Sequence, residues 1–220
     1  MKIHEKKTKN MIFSFTKKFQ FTTKLAVNNQ PIEIVKETKL LGTFLTDDLK
    51  WDKNTSEIVK SAWKRMQILY RSASFTSDRI DLKNIYLTFV RSVLEKSAVV
   101  WHSSLTKKNR RALERVQKAA VRVMLGTRYT NYQEGLKILR IDNLNTRRDK
   151  LCLKFAKNSL NNEKVRSMFP KKKNNHHMKK RNTQKYKINL AKTKRYKKSA
   201  IPFMTDLLNK EDREKRMMLK

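Results

Sequence analysis

The chain has 220 residues, enough for one domain or a domain with an extension, and carries 54 Lys and Arg against 19 Asp and Glu, a formal net charge of +35. A charge of that size opposes compaction unless a polyanion offsets it, so nucleic acid is the expected partner: many cations engaging phosphates together release counterions. No run of about 18 apolar residues spans a bilayer, the opening MKIHEKKTKN is too polar for a signal peptide, and the single cysteine, Cys152, excludes an internal disulfide. The expected location is intracellular and reducing, nucleus or cytoplasm, with no membrane partner. Three Gly and three Pro favour long helices over a turn-rich β fold.

In chain order, MIFSF (11–15) reads as a short strand. LAV (25–27) and IEIV (32–35) flank Asn28-Asn29-Gln30-Pro31, and their alternation predicts a hairpin. KLLGTFL (39–45) reads as a further strand, with Gly42 marking a bulge or a close backbone approach, before TDDLKW turns the chain. Ile58, Ala62, Met66 and Leu69 then fall on one helical face, with Asn54, Thr55 or Ser56 available to cap its start. A second helix is predicted over 79–101, its apolar stripe made of Leu82, Ile85, Tyr86, Phe89, Val90, Val93 and Leu94. A third, over 106–125, presents Leu113, Val116, Ala120 and Val123 and stops at Gly126. Shorter helices are predicted at 131–139 and 143–161, the latter with Leu144, Leu151 and Phe155 inward. Residues 171–200 hold 13 Lys or Arg and no Asp or Glu; 171–199 is expected to be disordered or conditionally ordered, followed by an amphipathic helix at about 201–216.

Five motifs follow one another: KKTKNMIF (6–13), KLLGTFLTDDLKW (39–51), NIYLTFVRSVLEKSAVVWHSSL (84–105), LERVQKAAVRVMLG (113–126) and RRDKLCLKFAKNSL (147–160). Their order resembles the region downstream of the catalytic motif in reverse transcriptases of non-LTR retrotransposons, the jockey-like group. The resemblance implies an α+β, mostly α chain. Residues 1–52 would be a palm-end and primer-grip-like segment of short antiparallel strands, 53–127 thumb-like helices, 128–170 further helices, and 171–220 a basic, partly disordered tail with a short terminal helix.

The Asp47-Asp48 pair invites comparison with the polymerase metal site. In the family the catalytic pair follows an aromatic residue, upstream of the segment matching KKTKNMIF; here Leu45-Thr46 precede the aspartates. Two-metal chemistry needs several convergent carboxylates. Asp47-Asp48 therefore reads as a solvated turn, in which Asp bonds its own local backbone. No catalytic residue, metal or other cofactor is expected in this chain; divalent magnesium would belong to a full-length polymerase. Cys152 with His176-His177 supplies too few ligands for structural zinc.

The resemblance implies that Lys7 matches a lysine near the incoming nucleotide, against the plainer reading of a solvated basic strand end. Gly42, Thr43 and Trp51 belong to the primer-grip-like segment, Gly42 allowing close approach to a sugar-phosphate and Trp51 lying against the primer or anchoring a core. Lys60, Lys64, Arg65 and Arg71 supply a basic face on the first helix; Lys107, Lys108, Arg110, Arg111, Arg115, Lys118 and Arg122 form a denser one on the third. Such faces position a backbone without reading bases. Arg147 and Arg148, with Lys150, either contact RNA or pair with acidic neighbours such as Asp142. Lys171, Lys172 and Lys173 open the tail. The expected function is sequence-tolerant binding of RNA, RNA–DNA hybrid or single strands by a non-catalytic reverse-transcriptase-like chain, with the upstream polymerase portion of an element as a further partner. Two rivals stand beside it: a truncated gene model of an active polymerase with an upstream endonuclease, and a host-used basic nucleic-acid-binding protein.

Overall fold

The computed structural model describes residue 4 and residues 8–15, 25–76, 78–171, 184–188 and 190–218. They are mostly helical with a few short strands, and contacts divide the chain into two units, 1–58 and 59–220. No helix among the described residues is long and apolar enough to cross a membrane.

The described residues of the first unit form three two-stranded ladders and the start of the first helix. β1 (Lys9–Asn10) pairs in parallel with β4 (Glu33–Ile34), β2 (Ala26–Val27) pairs antiparallel with β3 (Gln30–Pro31), and β5 (Glu37–Leu40) pairs antiparallel with β6 (Thr43–Thr46). The predicted hairpin is present but shorter. Asn28 and Asn29 take φ of 50° and 64°, the left-handed pair that a two-residue turn requires and that Asn tolerates. IEIV therefore leaves the hairpin and pairs with Lys9-Asn10 instead, and MIFSF is no strand; Phe13 and Phe15 stay exposed. Gly42 is not a bulge. Leu41 and Gly42, with φ of 48° and 81°, form the tip of the β5–β6 hairpin, so KLLGTFL is two strands rather than one.

α1 (Asp52–Phe75) starts ahead of all three cap candidates, with Asp52 at its positive end. Asn54 is no cap: its Oδ1 accepts the Phe44 N–H at 3.1 Å and ties the helix start to β6. Ala62, Met66 and Leu69 are buried in the second unit, as their spacing predicts.

The predicted 79–101 helix is a broken series. α2 (Arg79–Ile85), capped by Asp78, runs into a π-helical stretch (Tyr86–Arg91), then α3 (Ser92–Glu95). Ser97 at φ 53° interrupts the helix before α4 (Ala98–Trp101) and a 3₁₀ turn (His102–Ser104). The buried set is Leu82, Tyr86, Val90, Leu94 and Ala98, every fourth residue; Phe89 is 47% exposed and is no core residue.

α5 (Lys107–Leu125) begins at its Thr106 cap and stops at Gly126, where φ 51° and ψ −125° favour glycine. Leu113, Val116 and Ala120 are buried as predicted, joined by Val121 and Met124, while Val123 is only partly covered. α6 (Tyr132–Leu139) and α7 (Leu144–Leu160) are capped by Asn131 and Asn143. Gly135 lets α6 approach α5: a Cβ there would lie 2.5 Å from Val121 Cγ1. Phe155 is 43% exposed, so the α7 stripe runs through Leu144, Cys152 and Ala156 instead.

After α8 (Glu163–Arg166), the described part of the basic segment is built into the second unit, against expectation. Lys171 bridges to Tyr186, and the Asn209 amide holds the Tyr186 backbone from both sides, accepting its N–H at 2.9 Å and donating to its carbonyl at 3.1 Å. α9 (Lys194–Lys197) follows, then α10 (Ala200–Met218), which packs on α7 through Cys152, Ala156, Phe169, Tyr186, Met204 and Leu208. Composition hid this because Tyr186, set among lysines, joins the buried cluster through partners distant in the chain.

Candidate nucleic-acid interface

The expected Asp47-Asp48 turn is present. Asp48 Oδ1 accepts from Thr46 Oγ1 at 2.8 Å and from the Lys50 amide at 3.0 Å, and Leu49 takes φ 49°. Lys50 Nζ at 2.8 Å from Oδ2, followed by these bonds, draws the Asp48 carboxyl down to about 2. The carboxylate closes its own loop. Among the described residues, no group of three or more His, Cys, Asp and Glu is placed to hold a metal ion; His176 and His177 lie outside the described residues.

Of the residues singled out near the N-terminus, Lys7 lies outside the described residues. Gly42 sits at a hairpin tip, while Thr43 and Trp51 are each 8% exposed. Burial favours the core-anchor role of Trp51. Lys60, Lys64 and Arg71 are exposed along α1; Arg65, beside them, donates Nη1 to the Phe89 carbonyl at 3.0 Å, an acceptor within the π-helical stretch.

The dense basic face on α5 is a continuous row. Lys108, Arg111, Arg115, Lys118 and Arg122 are spaced three or four residues apart and all are exposed. Across the fourteen steps from Lys108 to Arg122 the row extends about 21 Å at 1.5 Å per residue. Lys118 Nζ lies 5.2 Å from the Tyr132 ring centre and the Arg122 guanidinium 5.3 Å from that of Tyr129, so two of the cations rest on aromatic faces. None of the five enters an ion pair among the described residues.

The one carboxylate of α5, Glu114, lies half-buried at the edge of the row, between it and the apolar side. Its Oε1 accepts from the Tyr132 hydroxyl and from the Leu144 amide at 3.3 Å, at the start of α7. Burial, with this carboxylate beside it, holds the Tyr132 hydroxyl protonated well above the ordinary tyrosine range. Gln117 continues the chain: it accepts from the Tyr86 hydroxyl at 2.5 Å and donates to Tyr132 and to the Asp142 carbonyl. The basic row is thus oriented by an inward polar network that binds α5 to its neighbours. The Glu-x-x-Gln spacing on the apolar side of α5 was the sequence signal for it.

Arg148 is corrected outright: it is 0% exposed and belongs to the interior, not to a nucleic-acid surface. Its guanidinium lies 5.8 Å from the Trp101 ring centre, and Nε donates to His102 Nδ1 at 3.1 Å. Because an arginine Nε only donates, His102 Nδ1 must accept, so the imidazole is neutral and its Nε2–H donates to Asp149 at 2.8 Å. Burial lowers the His102 pKa from its ordinary value, against the opposing pull of Asp149. Burial also draws Arg148 down to about 10, still protonated at neutral pH. Arg147 pairs with Glu95 at 3.1 Å, and Lys150 with Asp142 at 2.6 Å, which is the acidic-neighbour alternative for both. Lys171 is exposed; Lys172 and Lys173 lie outside the described residues.

No protein-family model, no curated protein and no solved structure matches this chain.

Proposed function

We propose that this chain is a sequence-tolerant nucleic-acid-binding protein of reverse-transcriptase-like ancestry, part of a non-LTR retrotransposon polyprotein, that grips RNA or RNA–DNA hybrid without polymerising. The observation that carries the reading is the α5 row: five exposed cations in register along one helix whose only carboxylate is half-buried and held by Tyr132 and the Leu144 amide. A row of that kind suits a phosphodiester backbone and carries no means of reading bases. The thumb and primer-grip roles rest on the motif resemblance alone. Asp48 spends its Oδ1 on its own turn, which weighs against a metal-ligand role for that residue.

The test is binding of the full chain to a generic RNA–DNA hybrid across salt. Five phosphate contacts predict a slope of log affinity against log salt of about −4 to −5. Changing Arg111, Arg115, Lys118 and Arg122 to Gln should remove most of that slope for every sequence alike. An unchanged slope in the quadruple variant sinks the reading. Primer extension by the parent with magnesium and deoxynucleotides would support the polymerase rival.

A further inference from the structure

The α5 row does not end at the helix. Ser104 Oγ donates to the Lys198 carbonyl at 2.9 Å, joining positions 94 residues apart in the chain. Ser104 precedes Lys107, the first residue of α5, by three residues, a span of at most about 10 Å. The α9 segment is thereby pinned beside the N-terminal end of the basic row.

The pinned backbone is set on both sides. Thr193 caps α9 by accepting the Tyr196 N–H at 3.2 Å, and Ser199 Oγ donates to the Tyr196 carbonyl at 2.7 Å. Further back, the chain is held at Tyr186 by Asn209 and at Lys187 by the Pro170 carbonyl. From this fixed strap Lys192, Lys194, Lys197 and Lys198 project exposed, and none enters an ion pair among the described residues. Tyr196, between them, is 41% exposed.

Resting on the reading above, we propose that Lys194, Lys197, Lys198 and Tyr196 extend the α5 row into one composite site for single-stranded nucleic acid. The lysines hold phosphates, and Tyr196 stacks an unpaired base. Single strands are favoured over duplex at this end because an aromatic face is open only to a base already out of a helix. A four-residue helix is also too short to follow a groove.

The test uses the full chain, oligouridine of 4 and 12 nucleotides, and a blunt RNA–DNA hybrid, read by fluorescence anisotropy across salt. Lys194→Gln with Lys197→Gln and Lys198→Gln should reduce the salt slope of the 12-mer by about 2, from three contacts at about 0.7 each, and that of the 4-mer by less than about 1. Tyr196→Ala should weaken the 12-mer about 5- to 100-fold and leave the hybrid within about 2-fold. Both variants should melt with the parent, since the altered side chains are exposed.

If the α5 quadruple variant weakens binding but the strap variant leaves the 12-mer slope unchanged, the composite site is wrong and the α5 reading stands. A quadruple variant that binds everything as the parent does overturns both. Equal losses on hybrid and single strand in Tyr196→Ala remove the stacking role and with it the proposal. So does tighter, Tyr196-dependent binding to phosphatidylserine vesicles than to the 12-mer, which would assign the strap to an anionic membrane.

Discussion

Replacing Arg148 by Ala separates an interior role from a surface one. The side chain contributes a charged hydrogen bond to His102 at 3.1 Å, worth about 1.5–3 kcal/mol, and a guanidinium–indole contact with Trp101 at 5.8 Å, worth about 0.5–2 kcal/mol. Against these, Nη1 and Nη2 are buried and donate to no other group among the described residues, at a cost of about 1–3 kcal/mol each. The local hydrogen-bond terms nearly cancel, so the remaining terms decide. Truncation empties the space beside Trp101 and strips Glu114 and Glu95 of their buried positive neighbour. Losing one member of a buried charge set costs about 3–5 kcal/mol, and that is the expected loss for Arg148→Ala in urea unfolding. Arg148→Met, which refills the volume and removes the two idle donors, should recover part of it. The expected order of stability is parent, Met, Ala, with nucleic-acid affinity of the folded variants unchanged. An Ala variant within about 0.5 kcal/mol of the parent, the size of a surface substitution, combined with weakened binding, would refute the interior placement.

His102 gives a pH dependence of definite sign: its folded pKa is lowered, so its contribution to stability is complete above 6.5 and declines as pH falls below it, where the unfolded chain takes up a proton that the folded imidazole resists. The urea midpoint should therefore drop between pH 7.5 and 5.5 by more in the parent than in His102→Gln, and equal drops would contradict the neutral, Arg148-bonded imidazole. Leu82→Ala, at 3% exposure, should cost about 2–5 kcal/mol, while Phe89→Ala, half exposed, should cost under about 1 kcal/mol; the reverse order in denaturant melts would restore Phe89 to the core. Gly135→Ala should destabilise by about 1–3 kcal/mol despite the better helix propensity of alanine, because its Cβ meets the short, buried Val121 side chain; a gain in melting temperature would show that α6 can move away from α5.

Much of the local structure was legible in sequence because it depends on neighbours in the chain. The Thr106 start and Gly126 stop of α5, the Asn131 and Asn143 region helix starts, the Asn-Asn hairpin and the Asp48 turn all follow from caps, positive φ and short-range hydrogen bonds. The exposed row on α5 follows from helical spacing, since cations three and four residues apart share a face. Three outcomes depend on partners distant in the chain. Phe89 and Val90 are adjacent apolar residues, and only the packing of the π-helical stretch decides which one is buried. Arg147 and Arg148 read as equivalent, yet one meets Glu95 near the surface and the other lies wholly inside between Trp101 and His102. The strap falls within the run expected to be disordered or conditionally ordered; its order comes from Asn209 and Ser104, whose three side-chain hydrogen bonds to its backbone leave no periodic trace in the sequence. Composition and spacing determine which faces are charged and where helices begin and end. Which charges are exposed, and which distant segments share a surface, is set by tertiary contacts, because burial is a property of what packs against a residue rather than of the residue itself.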